Sequence, residues 1–244
     1  MAQLFALDYT GPPFRLFGAA HLGALGCLLA LNLGLLRLRG RPAAVRMRAR
    51  RILAFALVAN ELAWHVWNWR VGTWNLQTML PLHLCSIFVW LSVWLLLTGS
   101  PRIYEYAYFL AIAGPLQALI TPDAGVYGFP HFRFFQTLIS HGLILTAALF
   151  MTLVEEMRPT RRSLVRVLVG MNVYILFVAV INTLIGSNYL FIAHKPETAS
   201  IVDFLGPWPW YILAMEVIGF ANCLVLYAPF EWLDRRRLRA TAAP

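Results

Sequence analysis

Charged residues are scarce in this chain of 244 residues: they make up 13% of it, against 60% for hydrophobic residues. A soluble domain usually contains about half apolar and about a quarter charged residues, so the composition excludes an ordinary soluble domain. An aromatic content of 14% also excludes a disordered protein, which has too few apolar side chains to fold. The apolar surface is therefore expected to face lipid.

Lysine and cysteine are also rare. Lys195 is the only lysine against nineteen arginines, a bias typical of proteins encoded by GC-rich, bacterial genomes. The three cysteines, Cys27, Cys85 and Cys223, lie on separate apolar segments without CxxC spacing. This arrangement suggests neither a zinc knuckle nor a disulfide framework.

Apolar segments of about 20 residues, the length that crosses a bilayer, occur seven times. The chain is therefore predicted to be an all-α membrane protein with one transmembrane domain over 1–244. Its helices are expected near residues 15–36, 52–69, 80–98, 103–121, 133–154, 164–186 and 208–230.

The basic residues predict the orientation of these helices. Sixteen of the 20 fall in the segments after helices 1, 3 and 5 and in the C-terminal tail, and four fall on the other side. Because cytoplasmic loops carry an excess of arginine and lysine, the N-terminus is expected outside and the C-terminus in the cytoplasm. The protein is thus predicted to be a multi-pass protein of the cell membrane.

Polar side chains concentrate at one depth of this predicted bundle. At about 1.5 Å of rise per residue, four of them lie roughly 6 to 8 Å below the outer boundary and three lie at roughly 12 Å. Ionisable groups at such depth normally face the bundle interior and mark a functional site, although polar residues also join helices by hydrogen bonds alone. The shallower four are Cys85, His65, Gln117 and Asn182, and the deeper three are Glu61, His141 and Glu216.

Cys85 is the candidate nucleophile of this layer, because a thiol activated by a nearby histidine can carry out acyl transfer. His141 is one candidate partner. His65 is another, and it follows Glu61 by four residues, so that the carboxylate shares its helix face and could orient the imidazole. His83 lies two residues from Cys85 and is assigned a supporting role.

Three residues near the outer end of the fifth helix are candidates for binding a lipid head group. The guanidinium of Arg133 suits a phosphate, although the same side chain could serve as an ordinary interfacial anchor. Asp123 could pair with Arg133 or hold an ammonium group, and His131 lies beside them.

Five separated motifs follow one another along the chain: Pro81–Ser86, Gln117–Asp123, His131–Gly142, Gly186–Phe191 and Gly206–Tyr211. Together they resemble the YwaF-like integral membrane family, to which animal transmembrane protein 164 is similar. The resemblance implies a seven-helix, cysteine-dependent enzyme that moves an acyl chain between phospholipid and lysophospholipid, without a cofactor or metal. It also implies that Cys85 is the nucleophile and that His141 assists it.

Two other functions are compatible with the sequence. Several histidines in the outer half are similar to those of metal-dependent seven-helix hydrolases of the ceramidase type, although no HxxxH pair occurs. A seven-helix sensor or transporter could bind a small solute in the polar layer. The leading expectation is a phospholipid acyltransferase or acyl hydrolase with an acyl-cysteine intermediate and no nucleic-acid partner.

Overall fold

A computed structural model describes residues 2–122, 125–196 and 201–241 of the chain. These residues form helices and no strand, which confirms the all-α prediction. The α-helices are α1 Ala19–Leu36, α2 Ala43–Arg70, α3 Leu76–Met79, α4 Leu84–Thr98, α5 Pro101–Ile120, α6 Phe132–Leu153, α7 Arg161–Ile185 and α8 Trp210–Thr241. Short 3-10 helices cover Ala2–Phe5, Tyr189–Phe191 and Ile201–Phe204.

Five of the described helices, α1, α5, α6, α7 and α8, are long and apolar enough to cross a membrane. Helix α2 has 28 residues, but it carries four arginines near its start, at positions 46, 48, 50 and 51. Helix α4 is apolar but has only 15 residues. The structure therefore establishes membrane character, and the number of spanning helices stays a prediction.

The starts of α2 and α4 differ from the predicted spans for local reasons. Helix α2 begins directly after Pro42, nine residues before the predicted span, because its arginine-rich turns continue the helix. Helix α4 begins at Leu84 rather than near residue 80. Pro81 disfavours helical geometry at the residue before it, so the chain makes a separate turn there.

Contacts divide the chain into two compact units. The first comprises Met1–Asn75 and Leu84–Met157, and the second comprises Leu76–His83 and Arg158–Pro244. In the first unit α6 is the central helix and packs against α1, α2, α4 and α5. The single domain expected over 1–244 stays a prediction.

The second unit contains α3, α7 and α8. Helix α7 begins with a capping box between Thr160 and Ser163 and ends at Gly186, whose φ of 66° is readily available to glycine. A small core of Val178, Tyr189 and Ile192 joins α7 to the 3-10 helix that follows it. This core places the loop after α7 against the segment before α4 that belongs to the same unit.

Candidate functional site

Cys85 is the second residue of α4 and is half-buried. The first N–H groups of an α-helix have no carbonyl partner within the helix. No acceptor is found for the N–H groups of Leu84, Cys85 and Ser86 among the residues that the structure describes. The thiol therefore lies at the positive end of a helix dipole, next to backbone donors that can bind an anion.

His141 lies in the middle of α6 and is half-buried. Its Nδ1 is 2.8 Å from the carbonyl oxygen of Thr137. A carbonyl can only accept, so Nδ1 carries the proton and Nε2 is the unprotonated nitrogen of the neutral ring. Within the described part of the chain Nε2 has no hydrogen-bond partner. This is the form of histidine that can take up a proton.

The buried side chain of Arg50 contacts both α4 and the segment just after α6, so it provides a common level for comparing positions along these two helices. Its Nε donates to the carbonyl oxygen of Leu96 near the end of α4 at 2.6 Å, and its Nη1 lies 3.7 Å from Glu155 Oε1, just after α6. Cys85 precedes Leu96 by eleven residues and His141 precedes Glu155 by fourteen. Counted from this common level, the two residues lie within about one helical turn of each other.

Helices α4 and α6 pack against each other, and α2 packs against both. Glu61 follows Arg50 by eleven residues on α2, which runs in the opposite direction, so its level is similar to that of Cys85. No hydrogen bond joins Cys85 to His141 among the described residues. Catalytic hydrogen bonds are often long in the absence of substrate, so the geometry is compatible with this pair.

Glu61 and His65 interact with each other, as their spacing predicts. Glu61 is buried, with 5% exposed, and its Oε1 lies 3.6 Å from Nε2 of His65. The indole N–H of Trp74 donates to Nδ1 of His65 at 3.0 Å. In the neutral ring His65 therefore carries its proton on Nε2, on the side of the carboxylate. Its Nδ1 is already used as an acceptor, which distinguishes His65 from His141.

Arg133 lies in the first turn of α6 and is half-buried. Its guanidinium stacks 3.9 Å from the ring centroid of Trp64 and donates to the side-chain oxygen of Gln136. The backbone oxygen of Gln136 accepts from Asn60 at 3.2 Å. These contacts hold the cation over the α2–α6 interface.

His131 is fully buried directly before α6. Its Nδ1 accepts from the N–H of Arg133 at 3.1 Å, which caps the helix, and its Nε2 donates to the carbonyl of Ala6 at 3.0 Å. Burial lowers the pKa of His131 below its ordinary value, and the nearby charge of Arg133 lowers it further, while the bond to Ala6 opposes both effects. No ring nitrogen is left for a ligand, so His131 anchors the start of the helix that carries Arg133.

The other predicted residues are described within their own units. Gln117 is exposed near the end of α5, and Asp123 lies outside the described residues. In the second unit, Glu216 is half-buried on α8 and has no hydrogen-bond partner among the described residues.

Asn182 and His83 stabilise the loop after α7 within the second unit. Asn182 accepts from Ser187 at 2.7 Å and from the N–H of Tyr189 at 2.9 Å, and it donates to the carbonyl of Tyr189 at 3.0 Å. His83 accepts from the N–H of Leu190 at 3.3 Å, and its ring packs against Phe191. Leu190 and Phe191 both have positive φ, of 60° and 54°. These polar contacts offset the strain of that backbone.

Sequence reasoning missed three contributors to the cluster around α2 and α6: Trp74, Gln136 and Asn60. Trp74 lies nine residues after His65 across a loop, a spacing that no helix periodicity predicts. The carboxamides of Asn60 and Gln136 carry a weak signal, because each is a polar residue in an apolar segment.

No group of three or more His, Cys, Asp or Glu side chains that could hold a metal ion is found within the described ranges. A zinc site needs three or four such ligands within about 2.3 Å of the ion. Within these ranges, no such group of side chains is available as metal ligands for the metal-dependent alternative.

Long apolar helices, together with a polar cluster between α2, α4 and α6, define an all-helical integral membrane protein. The chain belongs to the TMEM164 family, whose model matches residues 16–227. This match confirms the predicted relation to transmembrane protein 164, while the YwaF-like assignment stays a resemblance. No curated protein and no solved structure matches the chain.

Proposed function

We propose that this protein is a membrane-embedded phospholipid acyltransferase, or acyl hydrolase, that works through a thioester on Cys85. The observation that carries the proposal is the position of Cys85 in the first turn of α4, level to within about one turn with a histidine whose Nε2 can accept a proton. Membership of the TMEM164 family is compatible with this activity.

In the first half of the reaction, Nε2 of His141 takes the proton of the Cys85 thiol. The thiolate attacks the carbonyl carbon of a phospholipid ester, and the first-turn N–H groups of α4 donate to the resulting oxyanion. The bond from carbon to the ester oxygen then breaks. His141 returns its proton to the leaving oxygen, which produces a lysophospholipid and leaves the acyl group on sulfur.

In the second half, the hydroxyl of a lysophospholipid attacks the thioester carbonyl while His141 removes its proton. Collapse of the tetrahedral intermediate releases the new ester, and the thiolate recovers the proton from His141. Water in place of the hydroxyl would release a free fatty acid. The same residues therefore serve a transferase and a hydrolase, and access of water decides between them.

The start of α4 is a favourable place for this nucleophile. A thiol in apolar surroundings is mostly protonated, whereas a helix N-terminus stabilises the thiolate. The same amides are fixed by the helix before the reaction starts, so they cost little reorganisation when the oxyanion forms. One short element thus supplies the nucleophile and the donors.

The remaining polar residues of the first unit have supporting roles in this proposal. Arg133, held over Trp64, binds the phosphate of the lipid head group. The Glu61–His65 pair lies at a level similar to that of Cys85 and has a supporting role, in which the Glu61 carboxylate orients the His65 ring.

The proposal includes seven membrane-spanning helices with the N-terminus outside and the C-terminus in the cytoplasm. Helix α4, at about 22 Å, is shorter than a hydrocarbon core of about 30 Å. The proposed crossing therefore extends beyond the N-terminal end of α4, so Cys85 lies below the outer boundary. A pocket open to the outer leaflet follows from this depth.

The Cys85→Ala variant tests the mechanism. It should lose turnover and labelling by an acyl-mimicking thiol probe, because alanine keeps the packing but removes the nucleophile. Cys27→Ala and Cys223→Ala are the matched controls and should retain both. The measurement is acyl exchange between phospholipid and labelled lysophospholipid by purified protein, with lipid analysis of cells that have or lack the gene to identify the substrate.

Wild-type activity in Cys85→Ala would show that the thioester mechanism is wrong. A folded Cys85→Ala variant, shown by an unchanged unfolding temperature, is needed for a loss of activity to count in favour of the proposal. Absence of acyl exchange and of thiol labelling in the wild-type protein would favour a sensor or transporter.

A further inference from the structure

An elongated groove of about 720 Å³ lies between α1 and α6 in the first unit. Its lining consists only of Ala, Cys, Leu, Phe, Ile and Gly, so it offers no side-chain nitrogen or oxygen to a ligand. On α1 the lining extends from Ala19 to Leu31, a length of about 18 Å. Both helices are candidate membrane spans, so the groove opens to lipid rather than to water.

The lining and the shape of the groove suit a hydrocarbon chain. Every lining side chain is apolar. The two helices approach each other closely in the middle of the groove, because a Cβ atom added to Gly142 would lie 3.1 Å from the Leu28 side chain. A thin, flexible hydrocarbon chain fits this narrow apolar space.

A cation lies close to one end of the groove along the chain, because Arg15 precedes Ala19, the first lining residue of α1, by four residues. The carbonyl oxygen of Arg15 accepts from the N–H of Gly18 at 3.0 Å, which holds its backbone at the start of α1. Arg15 is exposed, and no acidic partner or hydrogen-bond acceptor of its guanidinium is found in the described part of the chain. A cation near the end of an apolar groove complements a molecule with a phosphate at one end and a hydrocarbon tail.

The geometry points to a phospholipid-binding site in which one acyl chain lies in the α1–α6 groove and the phosphate pairs with Arg15. This site is separate from Cys85, Arg133 and their partners, none of which lines the groove. It does not depend on acyl transfer. The expected ligand is a glycerophospholipid, because its acyl chain packs against the apolar groove and its phosphate pairs with the Arg15 guanidinium.

Photo-crosslinking tests the site. The probe is a phosphatidylcholine with a diazirine in the middle of one acyl chain, added to the purified full-length protein in detergent, and the labelled peptides are mapped by mass spectrometry. Label is expected on the groove walls, at Cys27 and Leu138, above that on exposed Leu184 of α7, which reports non-specific lipid contact. Equal labelling of the groove and of Leu184 would overturn the proposal.

Two matched variants of α1 sharpen the test. Ala24→Phe fills the groove, whereas Ala30→Phe adds the same ring at an exposed position outside it. Groove labelling should fall about tenfold in Ala24→Phe, as expected for the loss of about two buried methylene contacts, and stay unchanged in Ala30→Phe. Similar labelling in both variants would count against a specific site.

A measurement on the wild-type protein covers the case in which Ala24→Phe does not fold. Cys27 lines the groove and is exposed. Phosphatidylcholine at about ten times its dissociation constant should therefore slow the alkylation of Cys27 by N-ethylmaleimide about tenfold. Arg15→Gln should weaken this protection, while protection by diacylglycerol, which lacks phosphate, should be weak in both proteins. Equal protection by the two lipids would reject the phosphate contact.

The Cys85→Ala variant separates this site from the proposed function. It should bind and crosslink the phosphatidylcholine probe as the wild type does. Loss of the groove label with retained acyl exchange would reject only the groove, and retained label with activity independent of Cys85 would reject only the thioester mechanism.

Discussion

Three histidines of the first unit differ in which ring nitrogens are occupied. His131 uses both nitrogens to cap α6 and to hold the N-terminal segment. His65 lies between Trp74 and Glu61. Only His141 among these three combines a fixed Nδ1 proton with an Nε2 that lacks a described partner. Residue type alone does not separate a general base from a structural histidine, whereas the hydrogen-bond partners do.

Arg133→Gln tests the phosphate contact at the scale of a single residue. Because a charge-assisted hydrogen bond contributes more than a neutral one, the apparent KM for phospholipid should rise about tenfold, with little change in the unfolding temperature. Labelling of Cys85 by a small thiol probe should not change. Arg70→Gln, at the outer end of α2, is the control and should leave the KM close to that of the wild type.

An unchanged KM in Arg133→Gln would show that this arginine is an interfacial anchor. A parallel fall in folding and activity would instead assign its role to the contacts with Trp64 and Gln136.

At the scale of elements, the level of α2, α4 and α6 relative to one another depends on Arg50. Its side chain joins α2 to the last turn of α4 and to the end of α6, and it is 8% exposed. Arg50→Gln should lower the free energy of unfolding by about 2 kcal/mol, because it leaves the carbonyls of Leu95 and Leu96 without their buried donor, while Glu155 keeps its pair with Arg46. Denaturation of the purified protein in detergent measures this change.

Arg39→Gln is the matched control for this prediction. Arg39 pairs with Glu156 on the exposed surface, and such pairs contribute less than about 1 kcal/mol. Similar losses in the two variants would show that Arg50 does not set the packing of the helices.

The starts of α2 and α4 show where element prediction from sequence succeeds and fails. Hydropathy locates the apolar part of each helix, but it does not detect that the polar turns 43–51 are helical as well. Their helical form depends on partners distant in the chain, since Arg46 pairs with Glu155 at 3.1 Å. Pro81 indicates from the local sequence that α4 starts after it. A hydropathy average does not detect this, because the residues on both sides of Pro81 are apolar.

At the scale of the whole molecule, the distribution of arginine predicts the orientation in the membrane. A cysteine introduced at Arg41, in a Cys27→Ala, Cys85→Ala, Cys223→Ala background, should be shielded from an impermeant thiol reagent in intact cells and become reactive after lysis. A cysteine at Arg70 should react in intact cells. The reverse pattern would overturn the orientation and with it the depth assigned to Cys85.

The class and the family of this protein are readable from its amino-acid sequence alone. Helical content and membrane character follow from composition and from the length of apolar segments, and both depend on the local chain and the surrounding lipid rather than on tertiary contacts. The Glu61–His65 pair was also predictable, because a spacing of four residues brings two side chains together on any helix.

The partners and the protonated nitrogens of the polar side chains, in contrast, depend on how the helices pack. The bond of His131 to Ala6, the stacking of Arg133 on Trp64 and the donation from Trp74 to His65 join residues whose separation in the chain has no helical period. The same is true of the level of Cys85 relative to His141, which depends on an arginine that contacts α4 and the end of α6 together. Side-chain hydrogen bonds are specific to distance and direction, so they are determined only when the helices have packed.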